Sequence, residues 1–134
     1  MSGRRGLPFV ISAPSGTGKS TVCRQVVERD PQIELSVSHT TRKPRPGERS
    51  GVDYHFVTAG EFRALVARNT FVEHAEYGGN LYGTSWDSLD GPLGRGRDLL
   101  LEIEVQGARQ IRTRRSDARL VFLLPPTMEE LERR

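Results

Sequence analysis

The chain carries one cysteine, Cys23, in 134 residues, so no intrachain disulfide can staple it and a reducing compartment fits. No apolar run approaches the ~20 residues of a membrane span. The opening Met1-Ser2-Gly3-Arg4-Arg5-Gly6 lacks the apolar segment of a signal peptide. A cytoplasmic protein without a membrane partner is therefore expected. Internal repeats, low-complexity tracts and blocks of like charge are also missing. The 20 Lys and Arg set against 17 Asp and Glu leave a net charge of +3, which favours anionic ligands in general without demanding nucleic acid. The length suits one domain with a modest core, and a second independent domain is not expected.

What is present is a phosphate cradle near the N-terminus. The apolar run Leu7-Pro8-Phe9-Val10-Ile11 leads into Ala13-Pro14-Ser15-Gly16-Thr17-Gly18-Lys19-Ser20, and the helix-compatible run Thr21 to Glu28 leads out. Small residues let successive backbone N–H groups converge on an anion, and the helix N-terminus adds partial positive charge. Lys19 supplies a mobile full charge, and the Ser20 hydroxyl can join a Mg²⁺ shell. Ala13 stands where the usual G-x-x-x-x-G-K-[ST] pattern has its first glycine. Ser15, Gly16, Thr17, Gly18, Lys19, Ser20 and Thr21 are expected to hold ATP. Cys23, inside the helix, reads as a small core residue.

Asp30-Pro31 then breaks the chain, and Ile33–Ser38 alternates apolar with polar as a strand does. A long loop from His39 to Gly51 follows, with four cationic side chains and repeated Gly and Pro, and reads as exposed. Val52–Val57 resumes a strand. Thr58-Ala59-Gly60-Glu61 is a capping box opening a helix through Phe62, Leu65 and Val66. Phe71–Tyr77 alternates again and turns at Gly78-Gly79-Asn80 into Leu81–Thr84, a hairpin. Residues 38–84 thus look like a strand-rich insert in an α/β core made of 1–37 and 85–134. In that core Asp98–Ile103 is the continuous apolar run of a buried parallel strand. A helix is expected from Gln106 to Arg115, and Ala118–Leu124 is a second buried strand. Thr127-Met128-Glu129-Glu130 caps a last helix.

Several side chains suggest chemistry. Glu102 and Glu104, at i and i+2, are expected to share a face near the C-terminal end of a buried strand, where open α/β sheets place ligands. They are candidates for holding Mg²⁺ through water, for accepting hydrogen bonds from substrate, or for pairing with a nearby arginine. Arg42 and Arg45 flank Pro44 at a spacing able to clamp one phosphate, with Tyr54 and Tyr82 as hydroxyl donors; a solvated charged loop is the alternative. Glu73 sits on an otherwise apolar strand. If it points inward it needs a pair of donors, which guanine offers through N1–H and its 2-amino group and adenine does not. His39, His55 and His74 are not spaced as a metal site. Arg109, Arg112, Arg114, Arg115 and Arg119 read as a solvated helix face and strand entry, not a nucleic-acid surface.

Taken together, Ser-Gly-Thr-Gly-Lys-Ser, Ser38-x-Thr40-Thr41-Arg42-x-x-Arg45-x-Gly47-Glu48, Gly51-Val52-Asp53-Tyr54-x-Phe56, Glu73 and Tyr82-Gly83 resemble the guanylate kinase family, in family order from about Leu7 onward. The resemblance implies a P-loop nucleoside monophosphate kinase fold, a parallel sheet with helices on both faces. It implies transfer of the γ-phosphate of ATP to GMP, with Mg²⁺ as cofactor. By position, Arg42, Arg45, Tyr54 and Tyr82 would bind the GMP phosphate, and Ser38, Glu73 and Thr84 would read the guanine. Glu102 and Glu104 match an acidic pair often written with Asp, Glu102 set with GMP and Glu104 with Ser20 around Mg²⁺. Lys19, Arg42, Arg45 and Arg134 would act on the transferring phosphoryl group, Arg134 matching the first lid arginine. A family member continues into a lid and a last edge strand, so the chain is expected to be C-terminally incomplete, to bind better than it turns over, and to leave Leu120–Leu124 unpaired on one side. A binding module without turnover, or a kinase for another phosphorylated small molecule, are the competing expectations.

Overall fold

The computed structural model describes residues 5–12 and 19–122, the side chains of Lys19 and Ser20 excepted. The glycine-rich stretch from Ala13 to Gly18, with Ser15, Gly16 and Thr17, the last helix cap and Arg134 lie outside the described residues. Along the chain the elements are β1 (Pro8–Ser12), α1 (Lys19–Arg29), β2 (Ile33–Leu35), β3 (His39–Thr40), β4 (His55–Phe56) and α2 (Ala59–Ala67). They continue with β5 (Phe71–Tyr77), β6 (Asn80–Ser85), α3 (Trp86–Gly94), β7 (Asp98–Glu102), α4 (Val105–Arg114) and β8 (Arg119–Phe122). They fall into two compact units, Met1–Leu35 with Pro92–Arg134, and Ser36–Gly91. Among the described residues no helix is long and apolar enough to cross a membrane.

The first unit is built on a parallel sheet in the order β2-β7-β1-β8. Side chains alternate between faces along each strand. In register, Phe9 lies beside Leu100 and Ile11 beside Glu102. Ile11 and Leu100 pack with Cys23 of α1, and Phe9, Val26, Val27 and Ile33 close around them. Val10, Leu99 and Leu101 point to the other face and are fully buried as well. Burial on both faces is why β7 reads as an unbroken Leu99-Leu100-Leu101 run. The helix α4 presents Gly107, Ala108 and Ile111 as its buried stripe, at the i, i+1, i+4 spacing of one helical face. Its arginines 109, 112 and 114 are exposed.

Two core expectations need correction, and one element is added. The strand expected over 33–38 stops at Leu35, after pairing Ile33–Leu35 with Asp98–Leu100, because the chain leaves this unit there. The strand over 118–124, expected to be buried yet unpaired on one side, has Val121 41% and Phe122 52% exposed, and β1 is its only partner among the described residues. The helix α3 falls in a stretch for which the sequence reading names no element. It starts because the Ser85 hydroxyl accepts the Ser88 N–H at 3.0 Å, and Pro92 enters only near its end.

The second unit holds a sheet in the order β4-β3-β6-β5. The β5–β6 hairpin closes through Gly78 and Gly79, with φ of 59° and 81°, the double positive φ of a type I′ turn. Helix α2 begins at the expected capping box, Thr58 Oγ1 accepting the Glu61 N–H at 3.1 Å and Glu61 Oε1 accepting the Thr58 N–H at 2.9 Å. The strand expected over 52–57 forms only at His55–Phe56. Ahead of it the Val52 and Asp53 N–H groups bond back to the Arg49 carbonyl, and the Arg49 N–H is held by Asp53 at 2.8 Å, so residues 49–53 form a turn.

Candidate functional site

Register divides the side chains of the second sheet between two faces. Thr40 lies opposite Tyr82, Tyr82 opposite Ala75, and Glu73 opposite Thr84, with Phe56 beside Thr40. Opposed residues, and residues two apart on a strand, share a face, so Thr40, Phe56, Tyr82, Thr84 and Glu73 line one side. On the other side the His39 ring lies tilted against His55 at 4.6 Å between ring centroids and meets Phe71 edge-on at 5.4 Å. Phe71 stacks on Phe62 of α2 at 4.7 Å. One face is thus packed under a helix, and the other carries the polar groups.

A bulge makes this division possible. Strict alternation along Phe71–Tyr77 would put Phe71 and Glu73 on the same face. The register instead shifts between them, so Phe71 turns toward α2 while Glu73 turns to the polar face, re-aimed by one extra residue. Gly83 completes the packing: a Cβ there would lie 2.9 Å from Phe71 Cδ1.

Glu73 is a buried carboxyl, 3% exposed. Thr84 Oγ1, fully buried, donates to its Oε1 at 2.7 Å. Burial disfavours the charged form more than the Thr84 bonds favour it, and pushes the Glu73 pKa up to about 7. An acceptor of this kind, short of donors, suits a ligand that brings N–H groups in a pair.

Lys43, Arg45 and Arg49 of the basic loop are exposed, while Arg42 is half-buried and held in place. Thr40 and Thr41 pin the start of the loop to β6: Thr40 Oγ1 donates to the Leu81 carbonyl at 2.9 Å and accepts the Arg42 N–H at 3.1 Å, while Thr41 Oγ1 accepts the Leu81 N–H at 2.9 Å. The Arg42 side chain, only 13% exposed, forks onto Glu48 through Nη1 and Nη2, both at 3.0 Å. Its guanidinium lies 5.2 Å from the Tyr54 ring centroid and 5.9 Å from that of Phe56, within the range of cation–π attraction. Tyr54 meets Tyr82 edge-on at 6.1 Å. The fork onto Glu48 raises the Arg42 pKa further, and Arg42, followed by the Arg45 N–H, pulls Glu48 down to about 2. The Arg45 side chain is exposed, while its backbone N–H donates to Glu48 at 2.7 Å.

The described structure therefore brings Arg42, Tyr54 and Tyr82 together and sets Glu73 and Thr84 on the same sheet face as Tyr82. Ser38 lies just before β3, its carbonyl accepting the His55 N–H at 2.8 Å. In the first unit, Lys19 and Ser20 open α1 directly after the glycine-rich stretch, and Thr21 is exposed on its first turn. Glu102 ends β7, but Glu104 does not share its strand: it is the N-cap of α4, because the chain turns into that helix after Ile103. Both are half-buried. Among the described residues no three of the His, Cys, Asp and Glu side chains converge as a metal site. Sequence reasoning missed Glu48 and Phe56 as partners of Arg42. The signal lay in Glu48 being the single acid among the loop's four cations.

The family model described as guanylate kinase matches residues 5–134. The guanylate kinase of Alkalilimnicola ehrlichii is 54% identical over 129 residues, covering 96% of this chain and 64% of that protein. That of Aromatoleum aromaticum is 55% identical over 129 residues, covering 96% and 63%. The crystal structure of guanylate kinase from Anaplasma phagocytophilum superposes with a TM-score of 0.83 at 38% identity, over 96% of this chain and 65% of that one. The chain thus spans a little under two thirds of the length of these relatives. With a matched family model over nearly all its residues and relatives above 50% identity, the chain belongs to the guanylate kinase family.

Proposed function

We propose that this protein takes part in transferring the γ-phosphate of ATP to GMP, giving ADP and GDP. The observation that carries this reading is the polar face of the second sheet, where a buried carboxyl paired to Thr84 shares the face with Tyr82, which Tyr54 meets edge-on, and the Arg42 guanidinium lies over the Tyr54 ring. A carboxylate at Glu73 would accept the two N–H groups of guanine, with Ser38 and Thr84 beside it, while Arg42, Arg45, Tyr54 and Tyr82 would bind the phosphate. Lys19 and the residues from Ser15 to Thr21 would hold the ATP phosphates, and Arg134 would add charge at the transferring group. Ser20 and Glu104 offer the hard oxygen donors that Mg²⁺ takes, and Glu102 would accept hydrogen bonds from GMP. When bound, that ion would neutralise charge on the phosphates.

The GMP oxygen that attacks is already ionised, so positioning and charge neutralisation, not a general base, would lower the barrier. Titration calorimetry with GMP, AMP and CMP, alongside GMP-dependent release of ADP from ATP, tests the proposal. Selective binding of GMP with ADP release supports it. Equal response to the three monophosphates refutes the guanine reading, and GMP binding without any ATP binding points to a binding module.

A further inference from the structure

Glu48 is the only acid in the loop from His39 to Gly51, and it bonds to both arginines of the proposed phosphate site. We propose that Glu48 is a positioning residue: it holds the Arg42 guanidinium and the Arg45 backbone in a preset anion site, and does not compete with the phosphate for them. This rests on the GMP reading given above for its ligand, and on the loop geometry for the rest.

The geometry separates the two roles. Glu48 takes the end of the guanidinium, one hydrogen from Nη1 and one from Nη2, at 3.0 Å each. The second Nη1 hydrogen goes to the Lys43 carbonyl at 3.0 Å. The edge formed by Nε–H and the outer Nη2–H is a different fork from the end that Glu48 takes, and Tyr54 also hydrogen-bonds the Arg42 side chain, so the phosphate would be met by that edge together with the tyrosine. Glu48 Oε1 further accepts the Arg45 N–H at 2.7 Å, and the Glu48 N–H returns to the Arg45 carbonyl at 3.0 Å. One carboxylate thus sets the rotamer of the first arginine and the backbone of the second. Tyr54 and Phe56 stack against the Arg42 guanidinium, so its orientation is fixed from the end and from the rings.

A competitor and a positioner predict opposite signs when the charge is removed. Losing a nearby negative charge alone would tighten an anion by a few-fold. Losing the hold on an arginine's rotatable bonds costs up to about tenfold or somewhat more in affinity. The test is Glu48→Gln and Glu48→Ala in this chain, read by GMP calorimetry and by the Arg42 Nε–Hε signal in ¹⁵N NMR. Positioning predicts a Kd for GMP raised about tenfold in the alanine variant and less in the glutamine variant. It also predicts an Arg42 signal moved to the averaged position of a mobile arginine, with the β5–β6 amide signals in place. Unchanged or tighter GMP binding in Glu48→Gln, or an Arg42 signal still dispersed in Glu48→Ala, overturns it. If wild type itself ignores GMP, the proposed activity fails, and the Arg42 signal still decides this inference.

Discussion

Replacing Glu73 with Gln should make the protein more stable at pH 8 and no more stable at pH 4. Burial raises the Glu73 pKa from 4.5 to about 7. Below pH 4.5 the carboxyl is neutral both folded and unfolded, and the buried neutral form costs nothing in charge. Between 4.5 and 7 the unfolded chain gives up this proton while the folded chain keeps it, so stability falls as pH rises. Above 7 both states are ionised and the loss is complete. At 1.36 kcal/mol per pKa unit, the shift corresponds to about 3 kcal/mol as an upper bound. The Gln amide oxygen can keep the 2.7 Å bond from Thr84 Oγ1, but its NH₂ needs an acceptor of its own, which returns about 1 kcal/mol or more. A net gain of about 1–2 kcal/mol at pH 8 is the expected outcome, read as the difference in unfolding free energy between variant and wild type in urea at pH 4, 6 and 8. His39, whose pKa burial and then His55 depress, titrates in both proteins and cancels in the difference. A variant with the same pH dependence as wild type, or one less stable at pH 8, would refute the reasoning. The same substitution should weaken GMP strongly, so stability and recognition would be opposed at one residue.

If guanine is bound by the ionised form, GMP affinity should be flat above about pH 7 and fall below it, by up to tenfold per pH unit, with proton release in calorimetry run in two buffers. Glu73→Gln should keep only the slope of the phosphate's own ionisation near pH 6; an identical slope in both proteins removes Glu73 from the coupling. Gly83→Ala forces a Cβ to 2.9 Å from Phe71, which its stacking on Phe62 keeps from retreating, and should cost about 1–3 kcal/mol, seen as a lower midpoint in thermal unfolding. An unchanged midpoint would mean that β5 slides freely past β6. Thr58→Ala removes one half of the α2 capping box and should cost about 1 kcal/mol in urea unfolding; no loss would show that Glu61 alone holds that helix end.

Much of the scaffold could be read from the residues because local and global signals coincide there. Leu99-Leu100-Leu101 is apolar without alternation because β7 is covered on both faces, and Thr58-x-x-Glu61 and Gly78-Gly79 carry their geometry within a few residues. The pairing of Glu73 with a partner in the interior was foreseeable from its apolar neighbours, whereas its face was not. That depends on the bulge after Phe71, which only the register with β6 determines. Glu48 escaped for a related reason. Its link to Arg42 spans six residues of loop, and no periodicity marks a contact made by turns. The helix α3 escaped because Pro92 is a breaker in most contexts, and near a helix end it leaves only one late backbone bond unmade.

The pairing of β1 has a consequence for the order in which the chain assembles. Its partners are Asp98–Glu102 and Arg119–Phe122, roughly 90 and 110 positions downstream, so the first strand made waits for nearly the whole chain before its sheet can close. The unit from Ser36 to Gly91 is continuous in sequence, and its sheet needs nothing beyond Ser85. Loop closure favours the contiguous piece, and vectorial synthesis adds to that advantage. Nascent chains halted shortly after Gly91 has left the ribosome should already protect β5 and β6 from proteolysis while β1 stays cleavable. The surface that carries Glu73 and Tyr82 would then be complete before the parallel sheet of the first unit exists.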